Sequence, residues 1–299
     1  MTTRQIGYNP KVNNLAGILD IAQHELLLIS DSNVRVESSY LHDNVALINS
    51  PGVGLVTSLF RGVGSSGLGG ALEGVQLNSF VMGGVATLSG VFGRVCAVGK
   101  SMMLTRKTLD RIGGLRRLSR YLAEDQVCGE EIAALNLRVV VNHRPIDNVL
   151  GRLGFRQFCS RHLRWARIRR HICPPGYAAE ILLNPVGLAA VNLLLFPGLN
   201  SALFIGATLA AMTLNALVAE RSSSVMRHPA AYIGLELVRG LTMLVLWPVP
   251  FFSTTVSWRG NALRVGKRTL LTSHRHHAEL PEWDLDLTDW DLDPRPETP

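Results

Sequence analysis

Charge is missing from a long part of this 299-residue chain. Between residues 178 and 219 the only charged side chain is Glu180. At about 20 apolar residues per spanning helix, that stretch holds two, with "FPGLNS" (residues 196–201) as the break, and it is read as a transmembrane hairpin. Cysteine is scarce as well. Cys96, Cys128, Cys159 and Cys173 include no CxxC pair, which excludes the usual zinc spacing, and they are read as reduced and buried. The polar first 14 residues lack the apolar core of a cleavable signal peptide. A phosphate-binding glycine motif is missing too. "AVGKSM" (residues 97–102) ends like a P-loop, but Arg94 stands where the first glycine of that spacing belongs. The glycine-rich stretches at 62–70 and 83–93 are too irregular for a dinucleotide fingerprint.

A third segment, residues 230–252, is long enough to span although Glu236 and Arg239 interrupt it. Three apart, these two share a helical face and are expected to pair and point away from lipid. Trp247, Pro248 and Pro250 mark its end at an interface. Arg221 and Arg227 precede it, and Arg259, Arg264, Lys267 and Arg268 follow. Positive charge on both flanks leaves its orientation open.

Elsewhere the chain is strongly basic. Its 30 lysines and arginines face 23 acids, but residues 279–299 hold eight of those acids and only Arg295 as a base. The body therefore stands at 29 basic to 15 acidic residues. Such a surface suits an anionic partner: nucleic acid, anionic lipid or a phosphorylated substrate. The acidic tail, with its repeated Trp-Asp and Leu-Asp pairs and terminal prolines, reads as disordered. "SRHLRWARIRRH" (residues 160–171) gathers five arginines and two histidines around Trp165. A basic run with an aromatic inside suits nucleic acid, a membrane surface or a ligand's phosphates.

Before residue 173 the pattern is that of an α/β domain. "ELLLIS" (25–30) reads as a buried parallel strand, "VGLVTSLF" (53–60) as a second, and "RVVVN" (138–142) as a third after the helical "AEDQVCGEEIAALN" (123–136). Residues 13–22 form a short helix with Leu15, Ile18, Leu19 and Ala22 on one face. Asp31 directly follows the first strand, where parallel α/β sheets expose their functional ends. With Asn33 two residues on it suits a hard cation bound to a diphosphate, and a turn-capping aspartate has the same appearance. The adjacent acids Glu124 and Asp125 open a helix, which serves either the helix dipole or a general base aimed at a hydroxyl.

Taken in order, "NPKVNNL" (9–15), "SDSNVRV" (30–36), "VGLV" (53–56), "AEDQ" (123–126), "RHLRW" (161–165) and "SWRG" (257–260) resemble the ceramide glucosyltransferases over about residues 8–268. The resemblance implies a membrane-bound, inverting enzyme with a GT-A-like, Rossmann-like α/β domain that moves glucose from UDP-glucose to a lipid hydroxyl. Asp31 would help hold UDP and a divalent metal, Mg²⁺ or Mn²⁺, with Asn33 where many glycosyltransferases have a second aspartate. Asp125 would be the catalytic base. Arg161, Arg164 and Trp165 would sit against the donor diphosphate near the membrane, and Lys11 near the donor. Fixed guanidinium groups suit a leaving diphosphate, and Arg161, Arg164 and Arg167 share one helical flank; nucleic acid is set aside.

The same resemblance implies an anchor and a first donor-binding strand ahead of "NPKVNNL", so the domain is expected to be N-terminally incomplete. The expected division is a cytoplasmic GT-A-like domain over 1–173, a membrane region over 174–257 with two or three transmembrane helices, and a basic segment with disordered acidic tail over 258–299. The setting expected is an integral membrane protein, with few cysteines and an arginine- and alanine-rich body pointing to a bacterial inner membrane. The acceptor is ceramide or, as in related bacterial enzymes, a hopanoid lipid. The rival reading is a non-catalytic membrane protein of the same fold that binds anionic lipid or a partner.

Overall fold

Asn9 starts the first helix. Its side chain accepts hydrogen bonds from the Lys11 and Val12 N–H groups, and Pro10, which has no N–H to satisfy, takes the first helical position. The helix α1 (Pro10–Leu19) therefore begins three residues before the Asn13 start expected from its apolar spacing. Its buried residues are Val12, Asn13 and Ala16, while Ile18, expected to face inward, is 45% exposed. The computed structural model describes residues 4–223, 229–258 and 261–273.

The first unit continues with β1 (Leu26–Ser30), β2 (Val34–Arg35), α2 (Tyr40–Ile48), β3 (Val53–Ser66), α3 (Gly67–Gln76) and α4 (Met82–Gly90). It is completed by β4 (Ser101–Thr105), α5 (Arg106–Arg111), α6 (Gly114–Leu118), α7 (Glu124–Ala134), β5 (Arg138–Arg152) and α8 (Phe155–Ile172). The five strands form one mixed sheet in the order β1-β4-β3-β5-β2. Among the described residues β3 and β5 run parallel, and the other pairings are antiparallel. This mixed α/β unit fits a GT-A-like glycosyltransferase domain. The strand "ELLLIS", expected to be buried and parallel, is instead antiparallel to β4 and lies at the sheet edge, with Leu28 40% exposed.

β3 and β5 extend well past their expected ends. Ser58 lies opposite Asn142, but the next pair is Phe60 with Ile146, so residues 143–145 loop out. Pro145 has no N–H to give the ladder, and a bulge accommodates it. One face of the sheet buries Leu55, Leu104, Val12, Cys128 and Ile132 against α1 and α7. The other holds Tyr40, Phe60, Leu77 and Ile146, with Trp165 packed against them. The cysteines are not uniformly buried, as their scarcity had suggested: Cys128 is buried, Cys96 and Cys159 are half-buried, and Cys173 is exposed. The glycines at 62–70 have a packing role. A Cβ on Gly69 would stand 2.3 Å from the Gly154 carbonyl oxygen, so α3 approaches the start of α8 backbone to backbone.

After α8 come α9 (Pro174–Ala179), α10 (Pro185–Leu195), α11 (Leu199–Ser223), α12 (Pro229–Leu246) and α13 (Val249–Phe252). The first arm of the expected hairpin is not one continuous span. Pro174–Leu183 and Pro185–Leu195 meet at a 73° bend, where Pro185 cannot donate a helical hydrogen bond. Among the described residues one stretch, Ala231–Phe252, is long and apolar enough to cross a bilayer, and the bent pair counts as a second only if taken as a single span. Glu236 and Arg239 pair as their spacing indicated, and Arg239 Nη1 also donates to Gln76 Oε1 of α3 at 2.6 Å.

The chain then returns to the first unit. β6 (Thr255–Trp258), β7 (Asn261–Val265) and β8 (Leu271–Ser273) form an antiparallel sheet. Its Val256, Leu263, Val265 and Leu271 bury themselves against Leu122. Leu122 N–H donates to the Thr269 carbonyl at 2.9 Å and Leu271 N–H to the Arg120 carbonyl at 2.7 Å. A boundary at residue 257 thus cuts through a hairpin, and the basic segment up to Ser273 is joined to the domain that opens the chain. The acidic tail, expected to be disordered, lies outside the described residues.

The Arg239 network allows a stability test. Arg239→Ala leaves Glu236 and Gln76 buried without their partner, a loss of about 3–5 kcal/mol. Thermal unfolding of the detergent-solubilised chain should register it, and Glu236→Met with Arg239→Leu should recover most of the loss, because an apolar replacement leaves no buried charge.

Candidate active site

Four segments far apart in sequence meet at the end of β1: the start of α1, Asp31, the loop before β4 and the start of α7. The loop at 95–100 is strapped in place from two sides. The Thr57 hydroxyl accepts from Val98 N–H at 3.1 Å and donates to the Ser101 carbonyl at 2.9 Å. Gln126 accepts from Ala97 N–H at 3.2 Å and donates to the Val95 carbonyl at 3.0 Å. Asn9 links the start of α1 to the start of α7, its amide donating to Glu124 Oε2 at 3.0 Å and to the Tyr121 carbonyl at 2.7 Å.

These straps bring three carboxylates and two ammonium groups together. Lys11 Nζ lies 2.9 Å from Glu124 Oε1, 3.1 Å from the Gly99 carbonyl and 3.6 Å from Asp31 Oδ1. Lys100 Nζ lies 2.8 Å from Asp31 Oδ2 and 3.2 Å from Asn33 Oδ1. Asp125 receives two backbone donors, Gly99 N–H and Gln126 N–H, each at 2.8 Å. The approach is close enough to demand glycine: a Cβ on Gly99 would stand 2.7 Å from Lys11 Nζ and 2.8 Å from Asp125 Oδ2.

The cluster separates its members by protonation. Burial and the neighbouring Glu124 charge push the Asp125 carboxyl up to about 6, against the opposing pull of Lys11 and the two backbone N–H groups. Burial acts in the same direction on Asp31, but there Lys11 and Lys100 outweigh it and hold the carboxyl below its usual range. Burial would lower Lys11, and Glu124, Asp125 and Asp31 together raise it above an ordinary lysine instead. Of these two aspartates it is Asp125 that is poised to exchange a proton near neutral pH.

Of the residues singled out in the sequence, Lys11, Asp31, Asn33 and Asp125 belong to this cluster or its immediate rim. The basic helix α8 divides its labour. Phe158, His162 and Ala166 are its buried face. Arg161 is engaged by Glu73 of α3, Nη1 donating to Oε1 at 3.0 Å, and His162 Nε2 lies 2.8 Å from the other oxygen of that carboxylate. Arg164 feels the charge of both Glu124 and Glu73. Trp165 packs against the cluster of Tyr40, Phe60, Leu77 and Ile146, the same cluster that Val98 of the strapped loop packs against. The cluster also uses Asn9, Gly99 and Lys100, which the sequence did not single out as site residues. Asn9 lies in "NPKVNNL" and could have been found as a helix cap, whereas Gly99 and Lys100 sit in "AVGKSM", a segment weighed only as a P-loop.

Asp31 and Asn33 are a poor fit for a divalent cation in this arrangement. Magnesium keeps octahedral oxygen ligation and calcium takes six to eight oxygens. Here the Asn33 amide oxygen and one Asp31 oxygen both receive Lys100, while Asn33 Nδ2 donates to Asn148 Oδ1 at 2.8 Å and the Val149 carbonyl at 2.9 Å. Among the described residues no group of three or more His, Cys, Asp and Glu side chains converges to hold a metal ion.

The electrostatic assignment can be checked without reference to activity. Carbon-13 NMR of labelled aspartate should find Asp125 titrating near 6. Glu124→Gln removes a negative neighbour and should move that midpoint down; Lys11→Met removes a positive one and should move it up.

Two curated relatives are similar in sequence over most of the chain. The chain is 25% identical to ceramide glucosyltransferase 3 of Caenorhabditis elegans over 267 residues, which cover 87% of this chain and 58% of that protein. It is 22% identical to ceramide glucosyltransferase 1 of the same organism over 284 residues, 93% of this chain and 61% of that one. The chain thus spans about three-fifths of the length of these relatives. Residues 1–271, which include every side chain of the cluster, match glycosyl transferase family 21, and the chain belongs to that family.

Proposed function

We propose that this chain is a lipid glycosyltransferase that moves glucose from UDP-glucose to the hydroxyl of ceramide or a similar membrane lipid, with inversion. One observation carries the reading: Asp125, with its carboxyl raised toward neutrality, is fixed by two backbone donors beside two lysines at a partly open surface. Asp125 takes the proton of the acceptor hydroxyl as that oxygen bonds to the anomeric carbon of glucose. The bond from that carbon to the donor's β-phosphate oxygen breaks, and its electron pair leaves with UDP. Lys100 and Arg164 meet the charge that develops on the diphosphate. The names of the relatives supply the sugar and the lipid, and the apolar stretch Ala231–Phe252 supports a bilayer as the place where acceptor and enzyme meet. The first domain is placed on the cytoplasmic face.

A transfer assay on membranes containing this chain, with labelled UDP-glucose and either ceramide or a hopanoid acceptor, tests the reading. Asp125→Asn should lower transfer by about 10²–10⁴-fold without lowering the melting temperature. Unimpaired turnover by that variant would remove Asp125 from the role. Because the base works only when ionised, the rate should fall as pH drops through about 6. Glu124→Gln should carry that acid limb to lower pH.

A further inference from the structure

Lys100 holds the position on Asp31 and Asn33 that the sequence assigned to a metal ion. Its ammonium group touches one oxygen of each, at 2.8 and 3.2 Å. A divalent ion held by Asn33 would have to bind that same amide oxygen at about 2.0–2.6 Å, beside the ammonium group on Asp31 Oδ2, so ion and ammonium compete for one place. The lysine is not there by chance of a long side chain. The residue before it is pinned at both ends, Gly99 N–H donating to Asp125 and the Gly99 carbonyl accepting from Lys11. Its own carbonyl accepts from Asp31 N–H at 3.3 Å, and the next residue opens β4. A side chain carried by so fixed a backbone loses little freedom when it binds.

The donor count separates the two lysines. An ammonium group has three N–H bonds. Lys11 has three oxygen neighbours, on Glu124, Gly99 and Asp31, and so serves as a clamp between α1, α7 and β1. Lys100 has two among the described residues, which leaves one N–H to offer, and its side chain keeps 19% of its surface exposed. Together the two lysines bring the same formal charge as one divalent cation.

We propose that Lys100 takes the place of the divalent cation at this site: its ammonium group, oriented by Asp31 and Asn33, receives the diphosphate of the nucleotide donor, and binding and transfer proceed without a metal ion. The inference rests on the reading of the cluster as a nucleotide-sugar site. It assigns Asp31 and Asn33 to the lysine and not to an ion.

The test is UDP binding by the full-length chain in detergent micelles, measured by titration calorimetry in EDTA and again in Mn²⁺. The two dissociation constants should agree within about twofold, and transfer in membranes should survive EDTA. Lys100→Met should weaken UDP binding in EDTA by about tenfold or more, the usual weight of a charge-assisted hydrogen bond. Binding of UDP by the unmodified chain only in Mn²⁺ overturns the inference and leaves the transferase reading standing. A folded Lys100→Met chain that binds UDP as before also overturns it. Absence of UDP binding in both buffers by well-folded protein overturns the inference and the transferase reading together. If Lys100→Met does not fold, the comparison of EDTA with Mn²⁺ on the unmodified chain decides alone.

Discussion

Three carboxylates cannot share a small volume unless cations are built in beside them. Asp31, Glu124 and Asp125 come from two elements that have no reason in sequence to meet, and Lys11 at the start of α1 is what makes their meeting tolerable. Much of the local architecture serves that one ammonium group. Asn9 caps α1 and thereby aims Lys11, and the same amide reaches across to Glu124. Gly99 gives its carbonyl to Lys11 and its N–H to Asp125, so one peptide unit serves both charges. The division of protonation follows. Asp31, between two lysines, stays ionised, and Asp125, with burial and Glu124 against it, is left with a raised affinity for its proton.

A second polar centre lies in α3. Glu73 is fully buried and its two oxygens hold Arg161 and His162 of α8. Burial alone would raise its carboxyl; those partners hold it below the usual range instead. Three residues on, Gln76 accepts from Arg239 of α12. A single ten-residue helix therefore fixes both the basic helix and the apolar one. The close approach at Gly69 is what lets α3 lie near enough to do so. A buried charge without such partners would be strongly unfavourable, so these contacts specify how the elements sit as much as they stabilise them.

Legibility in the sequence followed range. Asp31 and Asp125 stand in short segments whose local pattern already marks them, an acid at a strand end and acids at a helix start, whereas Lys11 was named only by the family resemblance. The pair Glu236 and Arg239 was legible for the same reason, since a spacing of three is a local fact. What failed was non-local. The apolar run of β1 says that it is a strand but not that β4 lies antiparallel beside it. Nothing near Arg161 announces that Glu73, 88 residues earlier, will claim it. Pro145 stops a strand by every local rule, and only the pairing with β3 shows that it is a bulge. Lys100 was hidden differently: tested against one phosphate-binding motif and failing, its segment was given no other role.

The small sheet formed by β6, β7 and β8 closes a circuit. The chain leaves the α/β domain at the end of α8, runs through its apolar helices, and comes back to bury Val256 and Leu271 against Leu122, next to the acids of α7. Both ends of the apolar excursion are thus moored to the same body. A polymer that sets out from one side of a barrier and finishes on that side has crossed it an even number of times, zero included. Between those moorings a bilayer can be traversed by the Ala231–Phe252 stretch only if another part of the excursion makes the opposite journey; otherwise both stay in the near leaflet. An odd number of crossings between α8 and β6 does not fit that return to one body.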